Sequence, residues 1–250
     1  NYTHGSTRSA EWERRQAHIP LLLHDNPRDV LFLGCGTGAS AGGATMHDDV
    51  ESITVVELIP QVIEAARWFE QSNLGVLDDP RTNIHVDDAR HFLLATDQKF
   101  DVIIADLFVP WESKTGYLYT VDHYRVARAR LSAGGIFCQW LPMWQLGRRE
   151  FEMIADSFAS VFPYMTVWLG KGSYNRTIIA LVGSESPLEM DGQVVQRRIE
   201  EVFTDQRTAD ARLDEPRDLS RRYIGDWPSH DGASLLNTDE HPRLEFAMPL

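Results

Sequence analysis

The run Leu31-Phe32-Leu33-Gly34-Cys35-Gly36-Thr37-Gly38 constrains the fold most: it reads as a buried strand entering a glycine loop and then a small-residue helix over 39–46. Glycines let backbone approach a ligand closely, and a helix start presents unpaired N–H donors. A tight strand-to-helix turn needs the same residues, so the pattern alone does not decide between the two. The neighbouring segments add a rhythm. Apolar and β-branched runs at 30–33, 53–57, 83–86, 100–106 and 135–140 read as strands, with helical patterns at 60–70, 121–131 and 150–161. In the first of these helices Pro60 suits the opening turn, and Val62, Ala65, Ala66 and Phe69 share a face. Alternating strands and helices imply a parallel sheet covered on both sides, with right-handed crossovers. The runs 166–169 and 177–182 flank a turn-rich stretch and predict a hairpin. The expectation is an α/β, Rossmann-like fold with a seven-stranded, mostly parallel sheet and a terminal antiparallel hairpin. It divides into a lead-in segment (1–27), the Rossmann-like domain (28–183) and a C-terminal extension packed on it (184–250). The extension holds one helix at 191–203 and a strand or extended tail at 244–247.

Charge and composition narrow the partners. With 24 basic against 37 acidic residues, the net charge of −13 repels phosphate backbones and attracts small cations, so nucleic acid is not expected as a partner. No window reaches the roughly 18 consecutive apolar residues of a membrane-spanning helix. The two cysteines, Cys35 and Cys138, lie in strand-like contexts and build no disulfide framework, which fits a reducing compartment on the cytoplasmic side. The chain starts with Asn1 and shows no signal-peptide core, as expected of a piece of a longer protein. Nine histidines show no HExxH or paired Cys/His spacing, so no metal site is expected. No Gly-x-Ser-x-Gly elbow supports nucleophilic hydrolysis. The arginines at 212–217 and Arg221-Arg222 read as a solvated surface.

Acids at strand ends carry the chemistry. Glu57 closes the second strand, where a carboxylate can accept two hydrogen bonds from a ribose diol. Dinucleotides and S-adenosyl sulfonium compounds both use that arrangement. Asp87-Asp88 follow the third strand, where an acid can hold an adenine amino group, and Asp106 ends the fourth. A dinucleotide enzyme has no general reason for acids at these two places, and the hairpin also favours the sulfonium-binding class. The fold expected is therefore that of S-adenosylmethionine-dependent methyltransferases. Asp106 is the catalytic candidate, since its backbone is buried while its carboxylate reaches the crevice; a turn or cap acid is the alternative.

These residues lie in the order and spacing of a known family. His18-Ile19-Pro20-Leu21, the glycine loop, Val55-Val56-Glu57, Val86-Asp87-Asp88-Ala89-Arg90, the strand ending Ala105-Asp106, Leu118-Tyr119-Thr120 and Gly134-Gly135-Ile136-Phe137-Cys138-Gln139 resemble the spermidine synthase (polyamine aminopropyltransferase) family. Asp106-Leu107-Phe108, Cys138-Gln139-Trp140-Leu141-Pro142, Leu236-Asn237-Thr238-Asp239 and Pro242-Arg243-Leu244-Glu245-Phe246 resemble its bacterial branch fused to membrane-spanning helices. The resemblance implies decarboxylated S-adenosylmethionine as co-substrate, held by Gly34, Gly36, Thr37 and Gly38, with Glu57 on the ribose and Asp87, Asp88 and Ala89 around the adenine. Asp106 would be the base for aminopropyl transfer to a small-molecule amine, releasing 5′-methylthioadenosine. Glu112, Tyr119, Gln139 and Trp140 are the substrate-binding candidates, and Trp111, Tyr117 and Trp144 candidates for an aromatic lining. The resemblance allows a homodimer and a membrane-spanning segment in the full-length protein.

The chain departs from the family pattern in three places. Thr37 and Val109 stand where the family carries acids, and Trp12-Glu13-Arg14 replaces a gatekeeping Tyr-His-Glu. Arg14 would repel a diamine if it faced the site, and Glu112 is the candidate replacement for the acid missing at Val109. Fewer acids also admit ordinary S-adenosylmethionine as donor. The rival readings are a methyltransferase or other S-adenosylmethionine-consuming transferase, and a non-catalytic sensor of nucleoside or polyamine in a membrane protein.

Overall fold

Apolar runs that water would not tolerate form the middle of one sheet. The computed structural model describes residues 6–106, 108, 115–171, 176–204, 210, 212–213, 215–228 and 235–247. In chain order the elements are α1 (Ala10–Leu23), β1 (Asp29–Leu33), α2 (Ala39–Ala44), β2 (Ser52–Glu57), α3 (Pro60–Ala66), α4 (Glu70–Asn73), β3 (Thr82–Val86), α5 (Ala89–Ala95) and β4 (Phe100–Ala105). They continue with α6 (Val121–Ala129), β5 (Leu131–Pro142), α7 (Arg148–Ala159), β6 (Tyr164–Lys171), β7 (Ile178–Ser184), α8 (Gly192–Val202), α9 (Pro216–Ser220) and β8 (Tyr223–Asp226).

The sheet runs β3-β2-β1-β4-β5-β7-β6-β8. The first five strands pair in parallel, and β5–β7, β6–β7 and β6–β8 pair antiparallel. The expected α/β fold is present, with eight strands in place of seven. The additional strand, β8, lies at the edge beside β6 and leaves Tyr223 and Ile224 exposed, so no apolar alternation announces it. After β1 the chain builds outward through β2 and β3, then returns to β4 on the other side of β1. That reversal opens a crevice at the carboxyl ends of β1 and β4.

Each strand feeds two apolar layers by alternation. Phe32, Ile104, Cys138 and Trp140 face α1, packing with Ile19 and Leu22. Leu31, Ile103 and Phe137 face the other way, into a layer with Tyr124, Phe158 and Phe162. There Phe137 stacks on Phe162 with ring centres 5.7 Å apart, and Tyr124 meets Phe158 edge-on at 5.0 Å.

Several local expectations shift. The pattern at 60–70 breaks into α3, a 3-10 turn (Arg67–Phe69) and α4. The helix expected to reach 131 stops at Ala129, because Leu131 already pairs with Phe100 in the sheet. The lead-in contains the 14-residue helix α1, buried from Glu13 to Leu23. Arg15, on α1, forks onto Asp210, with Nε donating to Oδ2 at 2.5 Å and Nη2 to Oδ1 at 2.6 Å, which ties the two ends of the chain together. Arg222, expected in solvent, is buried and donates to the carbonyl oxygens of Leu169, Gly170 and Arg212. Residues 244–247 form no strand: a 3-10 turn spans Arg243–Phe246, its Leu244 N–H donating to Asn237 Oδ1 at 3.2 Å. Among the described residues no helix is long and apolar enough to cross a membrane.

Candidate active site at the strand reversal

The glycine loop takes the shape its residues dictate. Gly34, Gly36 and Gly38 all have positive φ, and Gly34 donates its N–H to Val56 O at 2.8 Å. A Cβ on Gly34 would sit 3.4 Å from the Phe108 ring and 3.6 Å from Asp106 Cβ, so the loop after β1 and the segment after β4 already touch.

Glu57, at the end of β2, reaches across to that loop. Its Oε2 accepts from Cys35 N at 2.9 Å and its Oε1 from Ile59 N at 3.0 Å. An ionised carboxylate has about four acceptor sites, so two remain for a diol once both N–H groups are bound. Burial first, then the charges of Glu57 and Asp106, push the Cys35 thiol up to about 12. The thiol stays protonated at neutral pH and has no nucleophilic role.

The two acids after β3 have local partners. Asp87 donates its N–H to Glu57 O at 3.1 Å, and its carboxylate engages His91 Nδ1 at 2.8 Å. That hydrogen bond holds the Asp87 carboxyl below the usual range. Asp88 caps α5, its Oδ1 accepting from Arg90 N and His91 N, each at 2.9 Å, and Ala89 is the first helical residue. Asp88 is exposed and Asp87 half-buried.

Asp106 follows β4 directly. Its N–H donates to Leu33 O at 3.2 Å, and its carbonyl oxygen accepts from Gln139 Nε2 at 3.4 Å. Gln139 is fully buried beneath it, and its Oε1 has no hydrogen-bond partner among the described residues. Two expected substrate contacts are placed differently. Tyr119 and Trp140 are 0% exposed. Tyr119 donates its hydroxyl to Phe108 O at 2.8 Å, which fixes the segment after Asp106. Trp140 donates its indole N–H to Gln16 O at 3.0 Å, in the layer under α1. Apolar neighbours claim both rings: Trp140 from an inward position of β5, and Tyr119 from a 3-10 turn (Gly116–Tyr119) packed on the opposite layer. Tyr117 is half-buried and Trp144 exposed. Val109, Trp111 and Glu112 lie outside the described residues.

Helix α1 packs directly on the glycine loop and α2. Gly43 lets α2 approach α1 so closely that a Cβ there would lie 2.6 Å from Arg14 O. At this contact Thr37 Oγ1 donates to Glu13 Oε2 at 2.9 Å, and Ser40 Oγ to Gln16 Oε1 at 3.0 Å. Burial raises the Glu13 carboxyl above its usual range, opposed by hydrogen bonds from Ser9 and Thr37. Arg14 is buried and donates Nη1 to Ser72 O at 3.0 Å. The local signal for the close approach is the run of small residues in α2, Ala39-Ser40-Ala41-Gly42-Gly43-Ala44. Among the described residues no group of three or more His, Cys, Asp or Glu could hold a metal.

Residues 12–181 match the spermine/spermidine synthase domain family. The chain is similar to the polyamine aminopropyltransferase of Thermotoga petrophila, 34% identical over 157 residues that cover 62% of this chain and 52% of that protein. It is also similar to the polyamine aminopropyltransferase of Escherichia fergusonii, 39% identical over 130 residues, 50% of this chain and 44% of that one. The chain spans about half the length of these curated relatives. A solved spermidine synthase in complex with the transition-state analogue AdoDATO matches with a TM-score of 0.72 and 24% identity, covering 88% of this chain and 73% of that one. Human methyltransferase-like protein 13 in complex with SAH matches with a TM-score of 0.54 and 17% identity, covering 93% and 98%. These two likenesses concern the fold, which both transfer chemistries share.

Proposed function

The chain belongs to the spermine/spermidine synthase family, and on that premise we propose that it transfers the aminopropyl group of decarboxylated S-adenosylmethionine to a small-molecule amine of the polyamine class. The observation that supports this reading best is the pair of strand-end acids at the reversal: Glu57 after β2, anchored by two N–H groups, and Asp106 directly after β4, its N–H donating to Leu33 O beside the glycine loop. Glu57 takes the ribose diol, Asp88 and its neighbours Asp87 and Ala89 the adenine, and Asp106 the acceptor amine.

An alkylamine with a pKa of about 10 arrives mostly protonated at neutral pH. Asp106 attracts that cation and accepts the proton, which frees the nitrogen lone pair. The lone pair then attacks the aminopropyl carbon bonded to the sulfonium. A C–N bond forms, the C–S bond breaks with its electrons passing to sulfur, and neutral 5′-methylthioadenosine leaves. Positive charge disperses along this path, so a partly desolvated crevice favours it. The free, buried Cys35 and Cys138 fit a reducing compartment.

Calorimetric titration tests the donor class. The reading expects decarboxylated S-adenosylmethionine and 5′-methylthioadenosine to bind, with the undecarboxylated compound weaker. Preference for S-adenosylmethionine moves the activity to methyl transfer, and binding without turnover moves it to sensing.

A further inference from the structure

We infer that Asp239 is a positioning residue for the donor: from the C-terminal extension it holds Arg90, and through Arg90 the start of α5, where Asp88 and Ala89 meet the adenine. The inference rests on the aminopropyl-transfer reading and deepens it. The segment that carries Asp239 is firmly anchored. Asn237 is wholly buried, donates Nδ2 to the carbonyl oxygens of Gly116 and Tyr119, each at 3.1 Å, and its own carbonyl oxygen accepts from Val121 N at 2.9 Å. Two residues on, Asp239 donates its N–H to Asp122 Oδ2 at 2.9 Å, and its Oδ1 accepts from the Thr120 hydroxyl at 2.8 Å. Both carboxylate oxygens also take the Arg90 fork, with Nη1 donating to Oδ1 at 2.8 Å and Nη2 to Oδ2. Burial opposes ionisation of Asp239, and the hydrogen bonds from Arg90 and Thr120 outweigh it, holding the carboxyl below its usual range.

Helix α5 needs such a partner. It has seven residues and carries Arg90 in its first turn, where a cation meets the positive end of the helix dipole. Its cap is Asp88, whose Oδ1 accepts from Arg90 N and His91 N, which leaves Oδ2 for an amino group on the adenine edge. Where that oxygen points depends on how the first turn sits, and the two-pronged Arg90–Asp239 contact fixes that turn against the start of α6. With side chains 21% and 35% exposed, the pair is screened less than one on the open surface. The contact also keeps the guanidinium occupied. Asp122 and Asp88 are the next acids whose charges act on Arg90. A guanidinium released by Asp239 therefore turns toward Asp88 and competes with the adenine amino group for its carboxylate.

The test titrates the unmodified chain, Asp239→Asn, Arg90→Gln and the double variant with two ligands: 5′-methylthioadenosine, and its analogue with hydrogen in place of the purine 6-amino group. The unmodified chain is expected to prefer 5′-methylthioadenosine. Asp239→Asn keeps the size and removes the charge. It is expected to bind 5′-methylthioadenosine roughly fivefold or more weakly, while the analogue stays within about twofold, so that the preference shrinks. The double variant is expected to be no weaker than Asp239→Asn alone, because the acid acts through Arg90. Unchanged affinity overturns the inference. So do an equal loss for both ligands, which marks a purely structural ion pair, and a double variant in which the single losses add. If Asp239→Asn does not fold, Arg90→Lys, which keeps the charge and loses the fork, is measured in its place: a loss confined to 5′-methylthioadenosine supports the inference, and an equal loss or none overturns it. An unmodified chain that binds neither ligand, or both alike, overturns the adenine placement of the functional reading itself, a result seen before any variant is made.

Discussion

Asp106→Asn is expected to lower the rate of 5′-methylthioadenosine release by about 100-fold or more, a barrier increase of about 2.7 kcal/mol. Asparagine matches aspartate in size and keeps the two backbone contacts that set the position, Asp106 N to Leu33 O and Gln139 Nε2 to Asp106 O. The fold and the nucleoside half of the site should therefore survive, with 5′-methylthioadenosine affinity within about twofold of the parent. What is lost is the charge that collects a protonated amine and accepts its proton. The variant's residual rate should then rise with pH, roughly tenfold per unit well below the amine's pKa of about 10, because deprotonation has passed to the solvent. Retained turnover at neutral pH would remove Asp106 from the mechanism.

Glu57→Gln is expected to weaken 5′-methylthioadenosine binding by about 100-fold, about 2.7 kcal/mol. The exchange looks conservative and is not. Both oxygens of Glu57 accept backbone N–H groups, from Cys35 and Ile59. A glutamine amide offers one oxygen and one NH2, so in either orientation an N–H faces another donor. The ribose loses an anionic acceptor at the same time. Titration with a 2′-deoxy analogue separates the two causes: the variant should penalise the analogue less than the ribose compound. A loss under about threefold would show that Glu57 is not the ribose ligand.

The central sheet was legible because its signal is local. Val30 to Leu33 and Val102 to Ala105 are apolar on both faces, as parallel strands covered on two sides must be, and their registers match in the sheet. Gly34, Glu57 and Asp106 were legible as strand-end residues of that same pattern. What could not be read depends on distant partners. Arg15 in a charged stretch gives no local sign that Asp210 will bury it, and Glu13 gives none that Thr37 will. Tyr119 and Trp140 fit an aromatic lining in sequence, yet only the packing decides which rings turn inward. Leu244 lies in an apolar tail that a strand would explain equally well, until Asn237, wholly buried, holds it in a turn through Gly116 and Tyr119. The edge strand β8 is missed for the opposite reason, since most of its side chains stay in solvent.

Mass spectrometry of the products made from decarboxylated S-adenosylmethionine and putrescine tests aminopropyl transfer most directly. The expected result is 5′-methylthioadenosine together with an equal amount of amine heavier by one aminopropyl unit, both suppressed in Asp106→Asn. Recovery of intact donor and diamine, or formation of S-adenosylhomocysteine when S-adenosylmethionine is supplied, would contradict it.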